Sequence, residues 1–157
     1  MTQAIHLRIA SKDDLAEIAD LRWRLQTDDQ ANFNPDEKQQ FINEFVRVAG
    51  DDTDSGSLIH WLAEKDGAAV AVMSIRIVRK VPKPRKYDGH WGYLTNVYTL
   101  PDHRNKSIGA ALLGKVKEWA KENALEFLIV WPSDASYGFY ERAGFASVRD
   151  PLILDLE

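Results

Sequence analysis

Cysteine is absent from the 157 residues, which rules out disulfides, a Cys-based zinc site and a thiol nucleophile. No apolar run approaches the ~20 residues that a membrane span needs. The first residues, MTQAIHLRIASKDD, lack the apolar core of a signal peptide and read as a first strand instead. Positive charge is not in excess. A formal net charge of −4 argues against the broad electrostatic footprint of a nucleic-acid binder. The four histidines, His6, His60, His90 and His103, show no paired metal-ligand spacing, and no internal repeat or low-complexity tract is present. These absences predict a cytoplasmic protein without a metal, a membrane or a nucleic-acid partner. What is there, 45% apolar and 28% charged residues, suits one soluble globular domain over residues 1–157.

Periodicity supplies the elements. Ile5, Leu7 and Ile9 alternate with His6 and Arg8, the period of a half-buried strand. Ser11 is placed to cap a helix over 12–27, with Asp14 three residues on standing in for a capping-box Glu. Leu15, Ile18, Arg22 and Leu25 share one face of that helix. Pro35 suits the first turn of a second helix running to about residue 49, and GDDTDSGS after it reads as a loop. Two strands joined around Lys65, Asp66 and Gly67 form a hairpin signal. VPKPRKYDGHWG is then a long loop, and GYLTNVYTL a strand. A helix opening near Ser107 carries Ile108, Ala111, Leu112, Val116, Trp119 and Ala120 on one stripe. EFLIVWP reads as a short central strand. A short helix from Ala135 to Arg142 ends at Gly144, and Phe145 to Leu154 is expected to be a last strand.

The most informative stretch is TLPDHRNKSIGAALL, from Thr99 to Leu113. It leads from a strand end through a Pro-containing turn straight into an amphipathic helix. Arg104, Asn105, Lys106, Ser107, Ile108, Gly109 and Ala110 fill the loop and the first helical turn. Small residues at Ser107, Gly109 and Ala110 let an anion approach the backbone. The first N–H groups of the helix lack intrahelical partners and point at that anion, with the positive end of the helix dipole behind them. Arg104 and Lys106 add formal charge. A Walker-type loop is excluded, because no second Gly is followed by Lys-Ser/Thr. Gly109 is the only Gly between Gly92 and Gly114, so a Rossmann fingerprint is excluded too.

VYTLPDHRNKSIGAALL resembles the acyl-CoA signature of the GNAT N-acetyltransferase superfamily, Arg/Gln-x-x-Gly-x-Gly/Ala after a strand. Arg104 and Gly109 match at the right spacing, while Ser107 stands where Gly is commoner. Serine serves there unless the backbone needs a positive φ. A second block, Ser133 to Phe145, ends in FYERAGF and is similar to the FYxKxGF closing motif of the family. The resemblance is specific over roughly residues 92–147. It implies an α/β GNAT fold: a mostly antiparallel mixed sheet of six to seven strands, flanked by about four helices and splayed at the two strands that bind acetyl-CoA.

The resemblance also implies roles. Val97, Tyr98 and Thr99 would pair with the thioester arm of acetyl-CoA, and the N–H of Val97 or Tyr98 would face the thioester oxygen. Arg104 to Ala110 would hold the diphosphate, and Ser133 would join the cofactor-binding set. Tyr140 would be the general acid for the departing thiolate, with Tyr137 one turn earlier as a substitute. Many relatives carry a Glu base on the preceding strand, yet Tyr93-Leu94-Thr95-Asn96-Val97-Tyr98 holds no carboxylate. Asn96 or Thr95 could orient a water, His90, Asp28 or Asp29 could accept the proton, and bulk water is the remaining acceptor.

The acceptor is expected to be a primary amine of a small molecule or peptide, attacked directly in a ternary complex. The segments around 26–36 and 80–92 border its site in the family, with Phe33 and Trp91 as candidate walls. Arg79, Lys80, Lys83, Arg85 and Lys86 crowd the second of these; they are solvated unless they draw in an acidic substrate. Dimerisation is common in the family, which leaves a homodimer open. A non-catalytic acyl-CoA sensor of the same fold is the rival reading, kept alive by the missing strand carboxylate.

Overall fold

The computed structural model of the chain describes residues 4–27, 32–148 and 151–156. In chain order it forms β1 (His6–Ile9), α1 (Leu15–Thr27), α2 (Pro35–Asp54), β2 (Leu58–Lys65), β3 (Ala68–Arg79), β4 (His90–Thr99), α3 (Ile108–Glu122), β5 (Leu128–Val130) and α4 (Tyr137–Arg142). Short 3-10 turns cover Lys12–Asp14, Pro101–His103 and Asp134–Ser136. The strands lie in the order β1-β2-β3-β4-β5, antiparallel throughout except for β4 against β5, which are parallel.

Period-2 alternation sorts the sheet into two faces. Trp61, Ala63, Met73, Ile75 and Leu94 meet Ile108, Leu112, Leu113 and Val116 of α3, with Tyr140 of α4. On the other face Leu58, Leu62, Val72 and Tyr98 meet Leu15, Ile18 and Leu21 of α1 and Ala49 of α2. The capping box at Ser11 and Asp14 forms as the sequence suggests. A second, Asn34 with Glu37, starts α2 ahead of Pro35. Gly92 sits where β4 is pressed between its neighbours: a Cβ there would stand 2.7 Å from Leu128 and 2.8 Å from Ile75.

Five expectations are corrected. α2 runs to Asp54 rather than 49, although DDTD is poor sequence for a helix end. Tertiary contacts hold the extra turn: Asp52 pairs with Arg76 at 2.7 Å, and Asp54 pairs with Lys12. His90, Trp91 and Gly92 belong to β4, paired with Arg79, Val78 and Ile77, so the long loop is shorter than its composition suggests. The described residues form five strands rather than six or seven. Within Phe145 to Leu154 the described residues carry no strand, and Val148, Leu152 and Leu154 are exposed. An alternating pattern becomes a strand only where a neighbour supplies the ladder, and Pro151 interrupts this one. β5 consequently lies at the sheet edge instead of at its centre.

β4 is irregular at its middle. Val72 faces Tyr98 and Ser74 faces Thr95, so Met73 stands opposite two residues, Asn96 and Val97. This is a β-bulge. Asn96 adopts a φ of 52°, which Asn tolerates better than most side chains. Its Nδ2 donates to Ser74 Oγ at 3.2 Å, and Ser74 Oγ lies 2.6 Å from His60 Nδ1. All three residues are buried. Asn96 Oδ1 and His60 Nε2 are sealed in without a partner among the described residues.

Burial, and secondarily the charge of Arg76, pushes the His60 imidazole down to about 4. The unfolded chain therefore takes up a proton near pH 6.5 that the folded chain refuses until about pH 4. Stability is fully present above that window and falls through it on acidification, by about 3 kcal/mol. Urea denaturation at a series of pH values checks this: His60→Gln should remove that part of the slope, and an unaltered slope in the variant would contradict it.

Candidate active site

The β4–β5 ladder is brief. Gly92, Tyr93 and Leu94 pair with Leu128, Ile129 and Val130, and there the pairing stops. From Thr95 onward β4 has no strand on that side among the described residues, so the two strands splay as expected. Leu100 N–H donates to the Val70 carbonyl at 2.9 Å, and the Thr99 carbonyl accepts from Arg104 Nε at 3.0 Å. Strand alternation from Leu100 then turns the amide of Tyr98 toward β3 and that of Thr99 toward the opening. Of the two amides that sequence reasoning left open, that of Tyr98 therefore points away from the opening.

The opening continues into the loop before α3. Asn105 and Ser107 both take positive φ, 57° and 60°, curling the chain so that successive N–H groups converge. The condition under which Ser107 would be a poor substitute for Gly is met, at a cost of roughly 1–2 kcal/mol. Ser107 is the N-cap of α3, yet its side chain makes no capping bond. The first helical bond is from Ala111 N–H to the Ser107 carbonyl, 3.0 Å. None of the backbone N–H groups from Asn105 to Ala110 meets an acceptor among the described residues. A row of free donors at the positive end of a 15-residue helix is a ready anion site.

These donors face a groove of about 630 Å³. Thr99, Arg104, Asn105, Ser107, Ile108, Gly109 and Ala110 all line it. Lys106 does not: its Nζ folds back onto the Asp102 carbonyl at 2.8 Å and staples the turn. Val97 and Tyr98 lie deeper along the strand, with Arg104 over the Tyr98 ring at 5.5 Å. Ser133 is apart from the groove lining and bonds Ser136 at 3.0 Å. Sequence reasoning missed Lys117, Phe139 and Arg142, which complete the walls. Ala110, Leu113, Gly114 and Lys117 fall on one helical stripe, so periodicity could have found Lys117. The lining carries Arg104, Lys117 and Arg142 and no acidic residue, which makes it electropositive in an acidic chain.

Tyr140 is 6% exposed and wedged edge-on against Phe139 and Phe145. Burial raises its phenol above the ordinary value, so the proton is retained. Its hydroxyl has no protein partner among the described residues and is not among the sealed, unpartnered atoms; it keeps contact with solvent. The base candidates fare differently. Both nitrogens of His90 lie within hydrogen-bond distance of carbonyls, Asp88 at 2.6 Å and Asn123 at 3.0 Å, and its N–H donates to one of them. Asn96 is locked in the bulge. Asp28 and Asp29 lie outside the described residues. Of the basic loop, Lys80 and Lys86 both pair with Glu126, at 2.7 and 2.5 Å. Phe33 packs edge-on against Trp23, and Trp91 stacks on Phe127. Among the described residues no cluster of metal-ligating side chains occurs, and no helix is long and apolar enough to cross a membrane.

Solved structures resemble this fold over nearly its whole length. A predicted acetyltransferase from Clostridium acetobutylicum, solved with acetyl-CoA, superposes with a TM-score of 0.79 at 24% identity, covering 98% of this chain and 97% of that one. A GCN5-related N-acetyltransferase from Ralstonia eutropha gives 0.76 at 21% identity, covering 98% and 100%. Glucosamine-6-phosphate N-acetyltransferase from Arabidopsis thaliana gives 0.72 at 18% identity, covering 99% and 100%. A search of curated protein sequences finds no match. The sequence model of the Acetyltransferase (GNAT) family matches residues 15–145. With the splayed strands and the donor-lined groove, that match makes this chain a member of the GNAT acetyltransferase family.

Proposed function

We propose that the chain, as a single domain over residues 1–157, transfers the acetyl group of acetyl-CoA to a primary amine of a small molecule or peptide, by direct attack in a ternary complex. One observation carries this reading: the unpartnered amides of residues 105–110 open onto an electropositive groove that runs to the free edge of β4. The Clostridium structure holds acetyl-CoA, which supports the same ligand here. The amides of residues 105–110, with Arg104, Lys117 and Arg142 around them, bind the diphosphate. Val97 and Thr99 pair with the extended arm along the open edge. The Val97 N–H donates to the thioester oxygen and strengthens its bond as negative charge develops there; such a donor is worth ~3 kcal/mol of barrier.

Tyr140, kept protonated by burial, delivers its proton to the departing thiolate. A thiolate leaves readily at neutral pH, so this step contributes at most ~10²–10⁴-fold. β4 carries no carboxylate and His90 is engaged elsewhere, so the amine gives its proton to water. No covalent enzyme intermediate is formed, in keeping with the absence of cysteine.

Two measurements test these roles. Thiol release from acetyl-CoA over a panel of amines should fall at least ~10-fold in Tyr140→Phe, with acetyl-CoA affinity nearly intact; unchanged turnover would remove Tyr140 from the mechanism. Ser107→Gly should relieve the left-handed backbone and raise stability by up to about 1 kcal/mol, with acetyl-CoA affinity retained. Denaturation and calorimetry of that variant check both, and a loss of binding would mean that the serine hydroxyl itself holds the ligand.

A further inference from the structure

The acceptor side of the opening contains a cation with no carboxylate partner among the described residues: Arg22, whose guanidinium meets only the side-chain amide oxygen of Gln26, at 3.1 and 3.3 Å. Leu15, Ile18 and Leu21 of α1 are buried against the sheet, and Arg22 follows at the point where this stripe meets β4. Of the described arginines that are not exposed, Arg8, Arg22 and Arg76, two have carboxylate partners: Arg8 binds Asp14 and Glu64, and Arg76 binds Asp52. Arg22 has none among the described residues. Its neighbours do not share this condition, since Arg24 pairs with Asp20 at 2.9 Å and Lys38 pairs with the same carboxylate. Asp20 sits on the same helix two positions away, and it serves other cations.

The guanidinium is half-buried and within electrostatic reach of Tyr93. Tyr93 is the middle residue of the short β4–β5 ladder, one step before the strands part. Trp131, just beyond β5 and 53% exposed, stands at 90° to the Tyr93 ring with centroids 5.1 Å apart. Arg22, Tyr93 and Trp131 thus gather at the fork. A desolvated guanidinium without a counter-charge is costly to maintain unless an anion arrives to pair with it. Its planar fork suits carboxylate or phosphate oxygens.

Resting on the proposed acetyl transfer, we infer that the acceptor is a primary amine bearing an oxyanion, a carboxylate or a phosphate, which Arg22 grips at the fork between Tyr93 and Trp131. Spacing narrows the class further. Tyr93 and Val97 are four residues apart with the bulge between them, so they span about three regular strand steps, roughly 10 Å at ~3.3 Å per residue. The amine and the oxyanion therefore sit several bonds apart, as in an ω-amino acid or an ω-amino alkyl phosphate, and an α-amino acid is too short.

Matched pairs read this directly. 5-Aminovalerate against pentylamine tests carboxylate, and 5-aminopentyl phosphate against 5-aminopentanol tests phosphate, each with acetyl-CoA and thiol release as the readout. At least one anionic member should exceed its neutral partner at least ~10-fold in kcat/KM. Arg22→Met should erase that preference by raising KM for the anionic member alone, Arg22→Lys should restore part of it, and both variants should bind acetyl-CoA as the native chain does. Neutral members preferred, or a preference that survives Arg22→Met, overturns the inference. Calorimetric acetyl-CoA binding with no anionic amine turned over also overturns it, while leaving the coenzyme site standing. Absence of acetyl-CoA binding removes both together.

Discussion

Peptide groups that a fold leaves without partners must be answered by something outside it, and among the described residues the amides of 105–110 form one contiguous run of them. β5 abandons β4 after Leu94, the bulge at Asn96 and Val97 re-aims the strand, and two left-handed residues turn the next amides inward before α3 begins. The unpaired donors of residues 105–110 face one groove, which reaches back to Thr99 at the end of β4. An unsatisfied buried donor costs ~1–3 kcal/mol, so such a row persists only where solvent or a ligand reaches it. Arg104 closes the corner by holding the Thr99 carbonyl, and Phe139 packs over Gly109, so the groove keeps its shape without closing over the donors.

Much of this was legible before any coordinates. Gly109 and the small residues around it, Arg104, and the strand-turn-helix order announced the anion site, because these depend on local backbone chemistry. The hairpin at Asp66 and Gly67 and the capping box at Ser11 are local in the same sense. What escaped was set by contacts remote in sequence. The final turn of α2 depends on Arg76 and Lys12, and no periodicity in DDTD encodes that. EFLIVWP has the apolar content of a central strand, yet its rank in the sheet depends on whether a partner forms beside it. Arg142 joins the groove only once α3 and α4 are packed together.

The positions that break the local rules are the informative ones. Ser107 and Asn96 take backbone conformations that cost most residues energy, and both border the opening. His60, Ser74 and Asn96 form a buried polar group on a face otherwise apolar, tied to the bulge rather than to the groove. Arg22 carries a charge on the stripe that Leu15 and Ile18 make apolar. Each departs from what packing alone would select.

The central claim is that the amides of residues 105–110 hold the diphosphate of coenzyme A. Calorimetry with coenzyme A and with pantetheine, which lacks every phosphate, addresses it most directly. Charge-assisted bonds worth ~1.5–3 kcal/mol each predict that pantetheine binds weaker by on the order of a hundredfold or more. Equal affinities, or no heat from coenzyme A while the fold is intact by circular dichroism, would contradict it.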